Sequence, residues 1–212
     1  VGPAAFPQMV AVPTAAFAEH GEGSVGLMVS PMLSCEDAFL LATWVRSIDA
    51  KAVLAVGPVP RDGEDKTFPG GFTIRAEKAP NARGVRKVLE SFGGDVLDAD
   101  GFAAKAPSLG AAVVTGNYPS DWVSPELANG LAKTAFVLID TLPTSLTSSA
   151  EVVLPGATWV EKAGSFMNAD GRLQSFRRAL APLMLAKNEA QLALDLAAAA
   201  AGGTARSFDD AE

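Results

Sequence analysis

Five short runs dominated by apolar residues set the terms for this fold: Val25–Val29, Ala52–Val56, Ala111–Thr115, Ala135–Ile139 and Glu151–Leu154. Each stops at residues that cannot continue a strand, in turn Ser30-Pro31, Gly57-Pro58, Gly116-Asn117, Asp140 and Pro155. Runs of this kind, apolar without alternation, read as strands covered on both faces. Between them lie helical patterns. Ser34 starts one, with Asp37 at the capping-box position and Phe39, Leu41, Trp44, Val45 and Ile48 at helical spacing. Asn81 opens another, with Val85, Val88, Leu89 and Phe92 on one face and Gly93-Gly94 closing it. Repeated strand–helix–strand units predict an α/β fold, a mostly parallel sheet with helices on both faces. Ligands of such sheets bind outside the carboxyl ends of the strands. Ser30, the Gly57 loop, Gly116-Asn117, Asp140-Thr141 and Pro155 are therefore the positions to watch.

Composition narrows the chemistry. With 49% hydrophobic residues in 212, the chain can bury a sizeable core, and its formal charge of −7 gives it no general attraction for phosphate backbones. Between Arg61 and Glu90 seven basic residues outnumber five acids, a density that suits a docking surface and not nucleic acid. Cys35 and His20 are the single cysteine and histidine. They exclude a disulfide framework, a zinc knuckle and an all-cysteine iron–sulfur site within this chain. No run of 18 apolar residues is present, so no direct membrane insertion is expected. Val1-Gly2-Pro3 resembles neither a signal peptide nor a natural start, and the chain reads as a piece of something longer.

The expected organisation is a linker or arm over 1–22, an α/β domain over 23–203 and a tail over 204–212. Residues 58–80 form a long Pro/Gly-rich loop, a kind that tends to serve function or an interface. A helix is predicted from about Ser124 to Lys133, a short helix before the Glu151–Leu154 strand, and an Ala-rich helix through Leu192, Leu194 and Leu196 that ends at Gly202-Gly203. No Gly-x-Gly-x-x-Gly follows a strand and no P-loop is present, so ordinary dinucleotide and P-loop chemistry are not supported.

Two stretches are more particular. One runs Asp140-Thr-Leu-Pro-Thr144-Ser-Leu-Thr147-Ser-Ser-Ala150-Glu151-Val152-Val153-Leu154-Pro155. The other runs Glu161-Lys162-Ala-Gly164-Ser165-Phe166-Met-Asn168-Ala-Asp170-Gly171-Arg172-Leu-Gln174. Together they resemble the molybdopterin oxidoreductase family, which has an Asp, a Thr-Glu-Thr-Ala-like turn and Ala-Asp-Val-Val-Leu-Pro, then Glu-Lys-x-Gly-Thr-Phe/Tyr-x-Asn-x-Glu-Gly-Arg-x-Gln. Gly116-Asn117-Tyr118-Pro119 stands where that family has Gly-x-Asn-Pro. The resemblance covers roughly residues 24–203. The carboxylate of the Thr-Glu-Thr-Ala turn is missing from Thr144-Ser145-Leu146-Thr147, and the amide of Gly-x-Asn-Pro is shifted by one position. Both departures point to the branch that keeps the fold without the molybdenum cofactor, the G subunits of NADH:quinone oxidoreductase.

That resemblance implies a scaffold for electron transfer from NADH toward quinone, cytoplasmic and peripheral to the membrane. Its partners would be other domains of the full subunit and other subunits of a redox complex. It implies no cofactor, no catalytic residue and no metal ligand in this chain, with iron–sulfur cysteines lying elsewhere. The alternatives are half of a molybdenum or tungsten enzyme such as a formate dehydrogenase, and a non-redox binding module. In the enzyme alternative a molybdopterin guanine dinucleotide would be held by Gly116, Asn117, Asp140, Thr144 and Arg172. Each of these also has a plainer reading. Asp140 suits an Asx-turn, Asn117 a turn through Pro119, and Arg172 an ion pair with Glu161 or Asp170. Cys35 reads as a buried thiol, Trp44 and Phe92 as core, His20 as an exposed linker residue, and Trp122 as a mark of an interface.

Overall fold

In the computed structural model, residues 5–204 and 206–208 are described. Six parallel strands form the central sheet: β1 (Val25–Val29), β2 (Val53–Val56), β5 (Val96–Leu97), β6 (Ala111–Thr115), β7 (Ala135–Asp140) and β8 (Val152–Pro155). Their order across the sheet is β5-β2-β1-β6-β7-β8. The chain thus winds outward in one direction from β1 and in the other from β6. This is the doubly wound arrangement, with its reversal between β1 and β6.

Alternate residues of each strand supply the two cores. Leu27, Leu54, Val113 and Val137 face α2 (Cys35–Ile48), α3 (Ala82–Glu90) and α6 (Glu189–Ala200). Met28, Ala55, Val114 and Leu138 face α4 (Ala99–Lys105) and α5 (Pro125–Leu131). Trp44 is buried, whereas Phe92 is half-buried against the exposed ring of Phe39. Two small hairpins complete the molecule, β3–β4 (Lys66–Thr67, Thr73–Ile74) and β9–β10 (Gly164–Met167, Leu173–Phe176).

Two expectations need correction. Over 1–22 a linker or arm was expected, but Ala5–His20 form α1, which packs on α6 and on β6 and β7. Its Ala content favours helix, and Val12, Ala16 and Phe17 supply a face for the core despite Pro13. His20 is consequently the last residue of a helix and lies against Gly110. The helix expected before β8 is only a pair of turns closed by Thr147 N to Thr144 O and Ala150 N to Leu146 O. In the tail, Phe208 N donates to Gln191 Oε1, so this part folds back on α6. The remainder of those terminal segments, residues 1–4, 205 and 209–212, lies outside the described residues. Asn81 opens α3 as expected, and its side chain is used elsewhere than on the helix's own N–H groups. Its amide donates to Leu33 O and accepts from Met167 N, joining α3 to β9.

Candidate functional site

The carboxyl ends of the six strands meet along one edge, and the crevice expected between β1 and β6 is bridged by the chain itself. Ser30 N donates to Thr115 Oγ1 at 2.8 Å. Tyr118, only 3% exposed, reaches across from the end of β6 and donates its hydroxyl to Pro58 O at 2.7 Å. Gly57 makes room for it, since a Cβ there would stand 3.0 Å from the Tyr118 oxygen. Burial pushes the Tyr118 phenol well above its usual range; a Ser30 contact opposes this and the Asp140 charge adds to it. Trp122 stacks on the Tyr118 ring at a centroid distance of 5.0 Å. The residue read as an interface marker is thus part of this plug.

Asp140 is the hub of the edge. It is buried, and its Oδ1 accepts from Asn117 N at 2.8 Å and Thr141 N at 2.7 Å, while Oδ2 accepts from Trp122 Nε1 at 2.9 Å. Gly116 lies so close that a Cβ would come within 1.9 Å of Asp140 Oδ2. Asn117 adopts a left-handed φ of 79° and spends its amide on Ala157 O at 2.8 Å and Glu189 Oε1 at 3.3 Å. Three of the five sequence candidates, Gly116, Asn117 and Asp140, therefore meet in one cluster. Thr144 sits on the loop beyond β7 and keeps a buried hydroxyl oxygen without a hydrogen-bond partner. Arg172 is placed apart, exposed on the β9–β10 turn, where its backbone N donates to Asn168 Oδ1. The acids suggested as its partners are engaged elsewhere. Glu161 accepts from Thr158 and from Leu183 N, and Asp170 lies 4.0 Å from Arg75.

Beside this cluster is a buried ionic group that the sequence reading missed. Lys162, Asp37 and Glu189 are all essentially inaccessible, with Lys162 Nζ 3.0 Å from Asp37 Oδ2 and 2.5 Å from Glu189 Oε2. Asp37 also completes the α2 capping box with Ser34 and accepts from Ala190 N at 2.9 Å. Both carboxylates thus occupy first turns of helices, where the backbone dipoles favour negative charge. Burial pulls the Lys162 ammonium down, but Asp37 and Glu189 outweigh it and hold it above its ordinary value. Glu189 is pushed up to about 7 by burial, with Lys162 opposing and Asp37 reinforcing. Asp37 was legible as a cap. Nothing in the sequence marks Lys162 and Glu189 as its partners.

Outside the strand ends opens a cleft of about 720 Å³, walled by Met32, Tyr118, Leu142, Trp159, Val160 and Phe166, with no charged side chain in its lining. Cys35 is half-buried near the Asn81 amide, and burial pushes its thiol up, with Asn81 opposing; it is no activated thiolate. Among the described residues no group of three or more His, Cys, Asp or Glu is arranged to hold a metal ion, and no helix is long and apolar enough to cross a membrane.

A doubly wound sheet followed by the β9–β10 hairpin defines a class that comparison with known proteins identifies. The molybdopterin oxidoreductase family model matches residues 119–199, a stretch that takes in α5, β7, β8, the β9–β10 hairpin and most of α6. More particularly, the chain is similar to the NADH-quinone oxidoreductase G subunits of Mycobacterium bovis and Mycobacterium tuberculosis. It is 30% identical to each over 160 residues, covering 73% of this chain and 19% of theirs. The Streptomyces coelicolor protein of the same name is 30% identical over 149 residues, covering 66% of this chain and 17% of its own. The chain spans less than a fifth of the length of these curated relatives.

Proposed function

We propose that this chain is the α/β domain of a G-like subunit of an NADH-quinone oxidoreductase, acting as a scaffold beside the electron-carrying parts and holding no pterin dinucleotide of its own. Under this reading its partners are other domains and subunits of the complex, on the cytoplasmic face and peripheral to the membrane. The observation that carries the reading is a strand-end edge whose polar groups are spent inside the chain. Asp140 accepts three hydrogen bonds and Asn117 donates two. Tyr118 fills the crevice at the β1–β6 reversal. A pterin guanine dinucleotide needs acceptors for a guanine edge and cations for a pyrophosphate. No cation lines the cleft, and Lys162 is held between two carboxylates. The residues present do not fit that group. The unpartnered Thr144 hydroxyl favours the alternative, half of a pterin-binding enzyme, but a single hydroxyl cannot hold a dinucleotide.

The test uses the full complex purified from the source organism with the native chain and with Lys162→Met. We expect no molybdenum or pterin attributable to this subunit. The variant is expected to yield less assembled complex with unchanged NADH–quinone turnover per assembled particle. One pterin per subunit, or turnover that falls while assembly stays normal, would sink the scaffold reading.

A further inference from the structure

The β9–β10 hairpin has two unlike edges. On the β9 side, the outward amides are taken by the chain's own side chains, Ser165 N by Glu36 Oε2 and Met167 N by Asn81 Oδ1, each at 2.7 Å. Because residues 165 and 167 point away from β10, the bonded pairs between the strands are Gly164 with Phe176 and Phe166 with Gln174. The N–H and C=O groups of Leu173 and Ser175 then face the opposite edge, and among the described residues no strand pairs with them. Natural edges of this kind are blunted by proline, bulges or inward charges; Leu173–Phe176 contains none of these.

Around this open edge the surface has a consistent chemistry. From Gly171 to Asn188 there are three arginines and no acid, in a chain whose net charge is −7, while the one lysine, Lys187, is paired with Asp195. Leu173, Leu180, Leu183, Met184 and Leu185 are all exposed in the same stretch, Met184 at 90%. Ala179 N and Leu180 N bond to Val160 O, which joins this strip to the apolar cleft.

We propose that β10 is a docking edge that takes an extended, acidic and apolar segment of a partner polypeptide as a third strand. Main-chain bonds to Leu173 and Ser175 would supply the pairing. Acidic side chains on the segment meet Arg172 and Arg177, and alternate apolar ones meet Leu173 and the leucines beyond. A second copy of this chain is disfavoured as occupant, since it would bring a second Arg172, Arg177 and Arg178 against the same basic strip. The inference names a face and a partner chemistry, and it does not depend on which complex the chain joins or on whether a pterin binds.

The test places a photo-crosslinking amino acid at Leu173 in the full-length protein within its native assembly and identifies the captured segment by mass spectrometry. The expected capture is one segment with more acids than bases and apolar residues at alternate positions. Ser175→Pro removes an edge N–H that β9 does not use. It is expected to cut capture about tenfold while leaving thermal unfolding of the chain unchanged. Arg177→Glu is expected to weaken capture to a similar degree. Capture of lipid, of a second copy, or of a neutral or basic segment overturns the proposal. So does an absence of capture in the assembled complex, or capture that Ser175→Pro leaves intact while the chain stays folded.

Discussion

The protonation of Glu189 bears on the stability of the fold. In the folded chain its carboxyl is held near 7 by burial, against an ordinary value of about 4.3 once unfolded. The folded state therefore holds the proton more tightly, and the stability this confers is complete below the unfolded value and lost as pH rises through about 7. Urea unfolding at pH 5 and pH 8 checks the sign. The native chain is expected to lose stability across that interval, on the order of a few kcal/mol from this group, and Glu189→Gln is expected to remove most of the loss. A native chain that gains stability from pH 5 to 8 more steeply than the variant does would refute the assignment. Asp37 was visible in the sequence as a capping residue because a cap is local. Its pairing with Lys162 joins residues 125 positions apart in the chain and leaves no periodic mark.

At the scale of elements, α4 and α5 meet through a close approach and not through large side chains. A Cβ at Gly130 would lie 2.3 Å from the Ala103 carbonyl oxygen, a backbone atom that cannot swing aside. Gly130→Ala is therefore expected to cost about 1–3 kcal/mol, although alanine is the better helix former. An unchanged or raised denaturation midpoint would show that the helices can separate freely. The strands β1, β2, β6, β7 and β8 were legible because a strand buried on both faces needs an unbroken apolar run. The edge strand β5, two residues long, and helix α4 were not foreseen, since Val96–Leu97 is too short to show a period. The turns before β8 misled in the opposite direction: single helical turns carry the residue preferences of a helix without its length.

For the molecule as a whole, α1 is the element whose role changed most between sequence and structure. Its Val12, Ala16 and Phe17 pack toward the core formed with α6 and the sheet, so Ala5–His20 belong to the fold. Deleting them is expected to lower stability by at least about 2 kcal/mol, the order of one or two apolar side chains uncovered. It should also create a surface that binds the dye ANS. A truncated chain as stable as the whole, with no dye binding, would return the segment to the status of an arm.

By itself, the sequence determined the doubly covered parallel sheet, the position of its ligand-facing edge and the resemblance to molybdopterin oxidoreductases. These rest on patterns within a few residues or on contiguous motifs, and both survive in one dimension. Tertiary structure alone decided what the edge can do. Tyr118 reaches Pro58 across the sheet, Trp122 and Asn117 saturate Asp140, and Lys162 is enclosed by carboxylates from two helices. Whether a polar group is available to a ligand depends on which distant donors or acceptors have already reached it, and only the packed chain settles that.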